Sequence, residues 1–403
     1  MIQPRAFHII DPGLMEVGGH YYTQDFSIAK ECQRRGIPVN IFCRKGANLG
    51  EHSLRVIELL NFDVFVEKPP EIAEFGVFEN YFLVNRAFHA DLDFIPVEEL
   101  SPDDIVYFPG LTQNQIEGVS DWVSSLPVHR RPHIAITLRF LNSQMHYNLN
   151  RGLAPSIEFL YRYVLAKLVT RHPRSYLFTD TNVLSLAYQR MSGIPVKVLP
   201  IPQVEFHNQS SQDTIAYKKP LTILYIGNTS PYRGHYFIAN IIENVLSEYP
   251  DVCFSVQVKS GKDSDEAQGM VAIADIFKTR VNYLFDALSP KDYVATLKSA
   301  DIVLLPYMPA YYYFGSSGVF TEAAALGKVV VITAGTAMET TVNENGLSAV
   351  IAKEYTAEAF VAAVKSAIVN YPELDRKASA SHEAYARKNS PQGFLDAMFS
   401  NIG

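Results

Sequence analysis

The strongest constraint on this chain lies in one stretch: Ser316-Ser317-Gly318-Val319-Phe320-Thr321-Glu322-Ala323-Ala324-Ala325-Leu326-Gly327-Lys328-Val329-Val330-Val331-Ile332. It reads as a loop, a helix, a glycine stop and a buried strand. Val319, Ala323 and Leu326 recur at helical spacing and make an apolar stripe. Gly327 is placed to end the helix. Residues 329–332 are an unbroken apolar run, the mark of a strand covered on both faces in a parallel sheet. A helix opened by Ser316, Ser317 and Gly318 offers free backbone N–H groups and the positive end of its dipole, a place to hold a phosphate. Glu322 projects about one turn into that helix, where it can accept hydrogen bonds from a ribose. The plainer alternative is an ordinary strand–helix unit with a serine cap and a solvated glutamate.

The context upstream favours the first reading. Asp301-Ile302-Val303-Leu304-Leu305-Pro306 is a buried strand ending in proline. From there to Lys328 the chain resembles the signature of retaining glycosyltransferases of family 4 (glycosyltransferase group 1), which adopt the GT-B fold. That signature runs from a strand ending in proline, through a Glu-x7-Glu motif, to a Gly-Lys/Arg-Pro-Val-Val strand. Glu322 matches the second glutamate, which in the family binds the nucleotide ribose. Phe314 stands where the first glutamate would touch the transferred sugar, within the aromatic run Tyr311-Tyr312-Tyr313-Phe314. The motif is degenerate at that point, and the stretch from Pro306 to Glu322 is longer than usual.

Bulk properties set the class. A chain of 403 residues is long enough for two domains, each with its own core. Apolar content of 48% and charged content of 19% suit a globular enzyme. A net charge of −7 argues against a general nucleic-acid binder. No apolar run is long enough to span a membrane. Met1-Ile2-Gln3-Pro4-Arg5 leads straight into a strand, so no signal peptide is expected. Cys32, Cys43 and Cys253 form no CxxC pair and read as reduced thiols in a cytoplasmic protein. No zinc spacing is present among the histidines.

In the N-terminal half, residues 6–10 read as a strand. A loop follows from Asp11-Pro12-Gly13 to Gly18-Gly19-His20, then a helix with Tyr22, Phe26 and Ala29 on one face, then a strand at residues 39–42. This order opens a doubly wound α/β domain. The Gly18-Gly19-His20 loop resembles the first loop of GT-B enzymes, which faces the donor across the cleft, and its glycines let backbone approach a ligand closely. A tight turn that binds nothing is the alternative. Asp91-Leu92-Asp93 has the form of a metal-binding DxD but reads as a surface charge pair. The buried strand at residues 134–138 carries Arg139 at its C-terminal end, where open α/β sheets bind ligands. Arg139 is therefore a candidate for holding a phosphate or carboxylate bidentately. His133 and His146 flank the strand and read as surface histidines. Residues 155–172 read as a helix with Arg162, Lys167 and Arg171 among apolar residues. It packs on the core with its charged face in water or lies on an anionic membrane surface.

In the C-terminal half, residues 221–227 open the second domain. The loop Asn228-Thr229-Ser230-Pro231-Tyr232-Arg233-Gly234 follows, and then one long helix carrying Phe237, Ile241, Val245 and Tyr249. In family 4 this loop holds an arginine and a Lys-Gly pair that grip the donor diphosphate. Arg233-Gly234 matches the pair, with arginine for lysine, and Asn228 takes the approximate place of the other cation. Lys259 matches the basic residue at the end of the following strand. The loop with Gly335 and Glu339 resembles the family's Gly-Gly-x-x-Glu turn.

The expected architecture is thus two facing Rossmann-like domains with parallel sheets. Their bounds are 1–204 for the acceptor side, 205–219 for a linker, 220–385 for the nucleotide-sugar side and 386–403 for a helix returning to the first domain. The resemblance implies transfer of a sugar from a nucleotide diphosphate sugar to a hydroxyl of a glycan, lipid-linked or small-molecule acceptor, as in polysaccharide biosynthesis. It implies retention of configuration, no cofactor and no metal. The residues expected to carry catalysis are Arg233, Lys259, Glu322 and Arg139. Those expected to line the donor are Gly18, Gly19, His20, Gly227, Asn228, Ser316, Ser317, Gly318 and Phe314. Expected partners are the nucleotide sugar, the acceptor and, peripherally, an anionic membrane, with no nucleic acid. Two alternatives stay open: a GT-B-shaped binding subunit without catalysis, and a nucleotide-sugar epimerase.

Overall fold

The computed structural model describes residues 2–63, 77–139, 147–148, 152–203, 220–227, 230–258, 276–285 and 288–403. The chain divides into two compact units, Met1–Val204 with Ser390–Gly403, and Glu205–Asn389. The first holds β1 (Phe7–Ile10), β2 (Val39–Arg44), β3 (Arg55–Leu60), β4 (Ile105–Phe108), β5 (His133–Thr137), β8 (Ser175–Thr179) and β9 (Lys197–Val198). Their order is β3-β2-β1-β4-β5-β8-β9, and every neighbouring pair is parallel. A short antiparallel pair, β6 (Tyr147–Asn148) and β7 (Gly152–Leu153), comes between β5 and β8 in the chain.

The second unit holds β10 (Leu221–Tyr225), β11 (Val252–Gln257), β12 (Val281–Leu284), β13 (Ile302–Leu305), β14 (Val329–Thr333) and β15 (Ala349–Ala352). The order is β12-β11-β10-β13-β14-β15, all parallel. Counted from β10, this is the strand order of a doubly wound nucleotide-binding sheet. The direction of winding reverses between β10 and β13, and in such sheets ligands bind off the C-terminal strand ends at that switch.

The apolar runs follow from burial on both faces. Ile223 and Tyr225 of β10 enter one core, with Ile241, Val245 and Phe254, while Leu224 and Ile226 enter the other, with Leu305, Phe320 and Ile332. Each fully buried side chain of this kind contributes roughly 1.5–3 kcal/mol. In the first unit the helix Pro391–Ile402 adds Phe394, Leu395, Met398 and Phe399 to the core around Phe7 and Tyr107. It is capped by Ser390, whose hydroxyl accepts the Gly393 N–H, and tied by an Arg35–Asp396 ion pair at 2.8 Å.

Four local expectations change. His133 is not a surface residue: it is the first residue of β5, aligned with Ile105 of β4 and beside the Tyr176 ring, and it is buried. Burial lowers its pKa, so it is neutral there. Asp91 is also buried, because its carboxylate accepts the backbone N–H and side-chain amide of Asn61; of the expected surface pair, Asp93 is the exposed member. The helix after Gly234 begins with a 3-10 turn, His235–Phe237, and becomes α-helical only over Ile238–Glu248. In the helix Pro155–Arg171 the basic side chains meet acids: Lys167 pairs with Glu117 and Asp121, and Arg171 with Asp121.

Candidate functional site

The switch between β10 and β13 is where the second unit brings its loops together. β10 runs into Gly227, which has φ of +121° and donates its N–H to Gln257 Oε1 at 2.9 Å. A Cβ at Gly227 would sit 2.4 Å from Arg233 Nη1 and 3.7 Å from the Val319 side chain. The guanidinium therefore occupies the space that glycine leaves, beside the first turn of the helix Gly318–Ala325. Gly234 has φ of +66°, and a Cβ there would come 2.2 Å from the Pro306 carbonyl oxygen that follows β13. Only glycine permits either approach.

Arg233 is half-buried and held by tyrosines. Its Nε donates to Tyr312 Oη at 3.2 Å, its guanidinium lies 5.4 Å from the Tyr307 ring centre, and its carbonyl accepts the Tyr225 hydroxyl at 3.4 Å. Tyr307 beside it raises its pKa above the usual arginine value, against the cost of burial. Burial in turn pushes the Tyr307 phenol up to about 12, so that ring is neutral. Among the described residues no carboxylate pairs with Arg233.

Ser317 caps the helix Gly318–Ala325: its hydroxyl accepts the Phe320 N–H at 3.2 Å, and its carbonyl accepts the Thr321 N–H at 3.0 Å. The amides of the first turn have no intrahelical acceptor. A Cβ at Gly318 would meet nothing within 4 Å, so the backbone there is open to a ligand. One turn on, the Glu322 carboxylate accepts a short hydrogen bond from Tyr293. Burial pushes its pKa up to about 7, against the stabilising pull of that hydroxyl. Phe314 is buried, its ring edge-on to Tyr313 at 4.8 Å. The Gly335 N–H donates to Glu339 Oε2 at 2.7 Å, so that turn closes on its glutamate.

In the first unit Gly18 and Gly19 have φ of +96° and +71° and open the helix Gly19–Arg34; His20 is exposed, its ring 4.0 Å from that of Tyr21. Arg139 follows β5, with Nη1 donating to Gln24 Oε1 at 2.7 Å and Nε 3.6 Å from Asp180 Oδ2. Beside it lies an acid pair that sequence reading missed. Asp11 and Asp25 are each 1% exposed. Burial pushes both pKa values up, and Asp25 rises further because Asp11 lies against it. Asp11 accepts the Gly13 N–H at 2.7 Å, and Arg139 draws both carboxyls down against the effect of burial. The available signal was position: Asp11 and Asp180 directly follow β1 and β8, at the ligand-binding edge of the sheet.

The structure thus gathers Gly227, Arg233, Ser317, Gly318 and Glu322 around one loop pair, with Phe314 and Ser316 in the same connection. Gly18, Gly19, His20 and Arg139 belong to the first unit. Asn228, Lys259 and His146, and the expected linker at 205–219, lie outside the described residues.

Residues 220–370 match the family model described as glycosyl transferases group 1. No curated protein matches the sequence. Among solved structures, a glycosyltransferase from Rickettsia africae is 13% identical with a TM-score of 0.68, covering 99% of each chain. A structure described as trehalose-6-phosphate from E. coli bound with UDP-2-fluoro glucose is 14% identical with a TM-score of 0.67, covering 98% of each. A sucrose-phosphate synthase from Thermosynechococcus elongatus is 16% identical with a TM-score of 0.60, covering 99% of this chain and 100% of its own. The fold is therefore GT-B, with two parallel-sheet Rossmann-like units.

Proposed function

We propose that this chain, whose residues 220–370 are a glycosyl transferases group 1 domain in a GT-B fold, moves a sugar from a nucleoside diphosphate sugar to an acceptor hydroxyl. The observation that carries the reading is Arg233: a cation with no carboxylate partner among the described residues, seated over Gly227 beside an open helix N-terminus. A diphosphate needs such partners, and each charge-assisted bond contributes roughly 1.5–3 kcal/mol.

In this mechanism the bond between the anomeric carbon and the diphosphate oxygen breaks, and negative charge develops on the departing oxygen. Arg233 and the amides at Ser317 and Gly318 meet that charge without reorganising. Lys259 is proposed as a second cation, and Glu322 as the acceptor for the ribose hydroxyls. Retention of configuration and independence of metal belong to the same proposal. The E. coli neighbour holds UDP-2-fluoro glucose, which makes UDP-glucose the first donor to try.

Arg233→Ala is expected to cut turnover by about two orders of magnitude or more while leaving the melting temperature nearly unchanged, since it removes charge where charge develops. Donor-hydrolysis and transfer assays with a melting curve test this. Normal turnover in a folded variant contradicts the role.

One observation favours a second reading. Phe314, buried and apolar, stands where a glutamate would meet the sugar. A binding subunit without catalysis would bind nucleoside diphosphate and show no turnover with any donor.

A further inference from the structure

Arg5, Arg35, Arg44, Arg139 and Arg171 each lie against a carboxylate. Arg131 and Arg280 donate to backbone carbonyls. Arg233 has its side chain held by tyrosines. Its side chain meets two phenols, Tyr312 in the aromatic run that interrupts the expected acidic motif and Tyr307 a few residues before that run.

The segment is built to do this. Tyr307 follows β13 after Pro306 and is fully buried, and Tyr312 packs on it with ring centres 4.4 Å apart. Tyr307 presents its face to the guanidinium while Tyr312 accepts from Nε. The two loops are joined beside this contact. Tyr232 stacks on Tyr311 at 3.9 Å with 13° between the rings, and the Met308 N–H donates to the Tyr232 carbonyl at 2.8 Å. Arg233 is thus fixed in its plane by Tyr307 and in its roll by Tyr312.

We propose that Tyr312 and Tyr307 are positioning residues that aim the Arg233 guanidinium at the diphosphate of the donor, and that holding it with phenols in place of a carboxylate leaves its charge for that ligand. This rests on the diphosphate reading above. A carboxylate in place of Tyr312 would hold the arginine as firmly and cancel its charge. A phenol holds it by one neutral hydrogen bond and by the ring face, which attracts a cation without neutralising it. The aromatic run that replaces an acidic residue in sequence therefore serves the phosphate side of the site.

The test compares Tyr312→Phe and Tyr312→Glu with the parent chain. Binding is measured for UDP, GDP and ADP and for uridine, guanosine and adenosine, with a melting curve for each variant. The readout is the ratio of diphosphate Kd to nucleoside Kd for the base that binds. Tyr312→Phe is expected to raise that ratio about tenfold, the loss of one hydrogen bond to a charged group. Tyr312→Glu is expected to raise it by about a hundredfold, because an adjacent carboxylate takes up the guanidinium. Nucleoside affinity and melting temperature stay near the parent values. A ratio within about twofold of the parent in both folded variants overturns the inference alone, as does equal loss of nucleoside and diphosphate. A parent chain that binds none of the three diphosphates overturns the reading beneath it as well.

Discussion

At the scale of single residues, Glu322 gives the sharpest consequence. Desolvation of its half-buried carboxyl pushes the folded pKa from the ordinary 4.5 up to about 7, against the pull of the Tyr293 hydroxyl. The folded chain therefore takes up a proton between those values, and this carboxyl makes folding less favourable as pH rises from about 4.5 to about 7, with no further change above. A ribose diol donates to the ionised carboxylate, so nucleoside affinity should increase across the upper part of the same window and then level. Titration with the nucleoside tests this cleanly, since it lacks a phosphate that itself titrates near pH 6. Glu322→Gln should bind more weakly and lose the pH slope; a parent chain with pH-independent affinity contradicts the assignment. Glu322 and Ser317 were legible because a helix start and one turn of helix are local facts. The hold of Tyr312 on Arg233 was not, because the two lie 79 positions apart and meet only when β10 and β13 pair.

At the scale of elements, the strands were legible because parallel strands covered on both faces must be apolar throughout, as in β13 and β14. The exceptions were polar residues buried by tertiary partners. His133 and Asp91 look like surface residues until β4 and Asn61 close over them. The Asp11–Asp25 pair is of the same kind: one member follows β1, the other lies on the helix Gly19–Arg34, and only the fold puts them together. Both pKa values are raised, so this pair lowers stability as pH climbs above 3.8 towards the folded values. Arg139 and the Gly13 N–H oppose the rise at Asp11, and Asp63 adds to it. Asp25→Asn keeps the shape and supplies an N–H to Asp11. It should flatten the dependence of melting temperature on pH and melt above the parent at pH 8. An equally steep decline in the variant would show that this pair does not set the pH dependence.

At the scale of the whole molecule, the second sheet has the strand order of a doubly wound sheet, and the family model matches that unit in particular. The fold was legible in the chain's alternation of apolar runs with helical stripes. The base, the sugar and the acceptor were not, because they depend on side chains such as Phe314 that depart from the family's pattern. The central claim is a diphosphate site organised by Arg233. The most direct test is thermal stability of the parent chain and Arg233→Ala with UDP, GDP, dTDP, ADP and CMP, with and without EDTA. A ligand at 100 times its Kd adds about 2.7 kcal/mol, a shift of several degrees. The account predicts that one diphosphate raises the parent's melting temperature, insensitively to EDTA, and that Arg233→Ala abolishes the shift. No shift with any of them, or the same shift in Arg233→Ala, would contradict it.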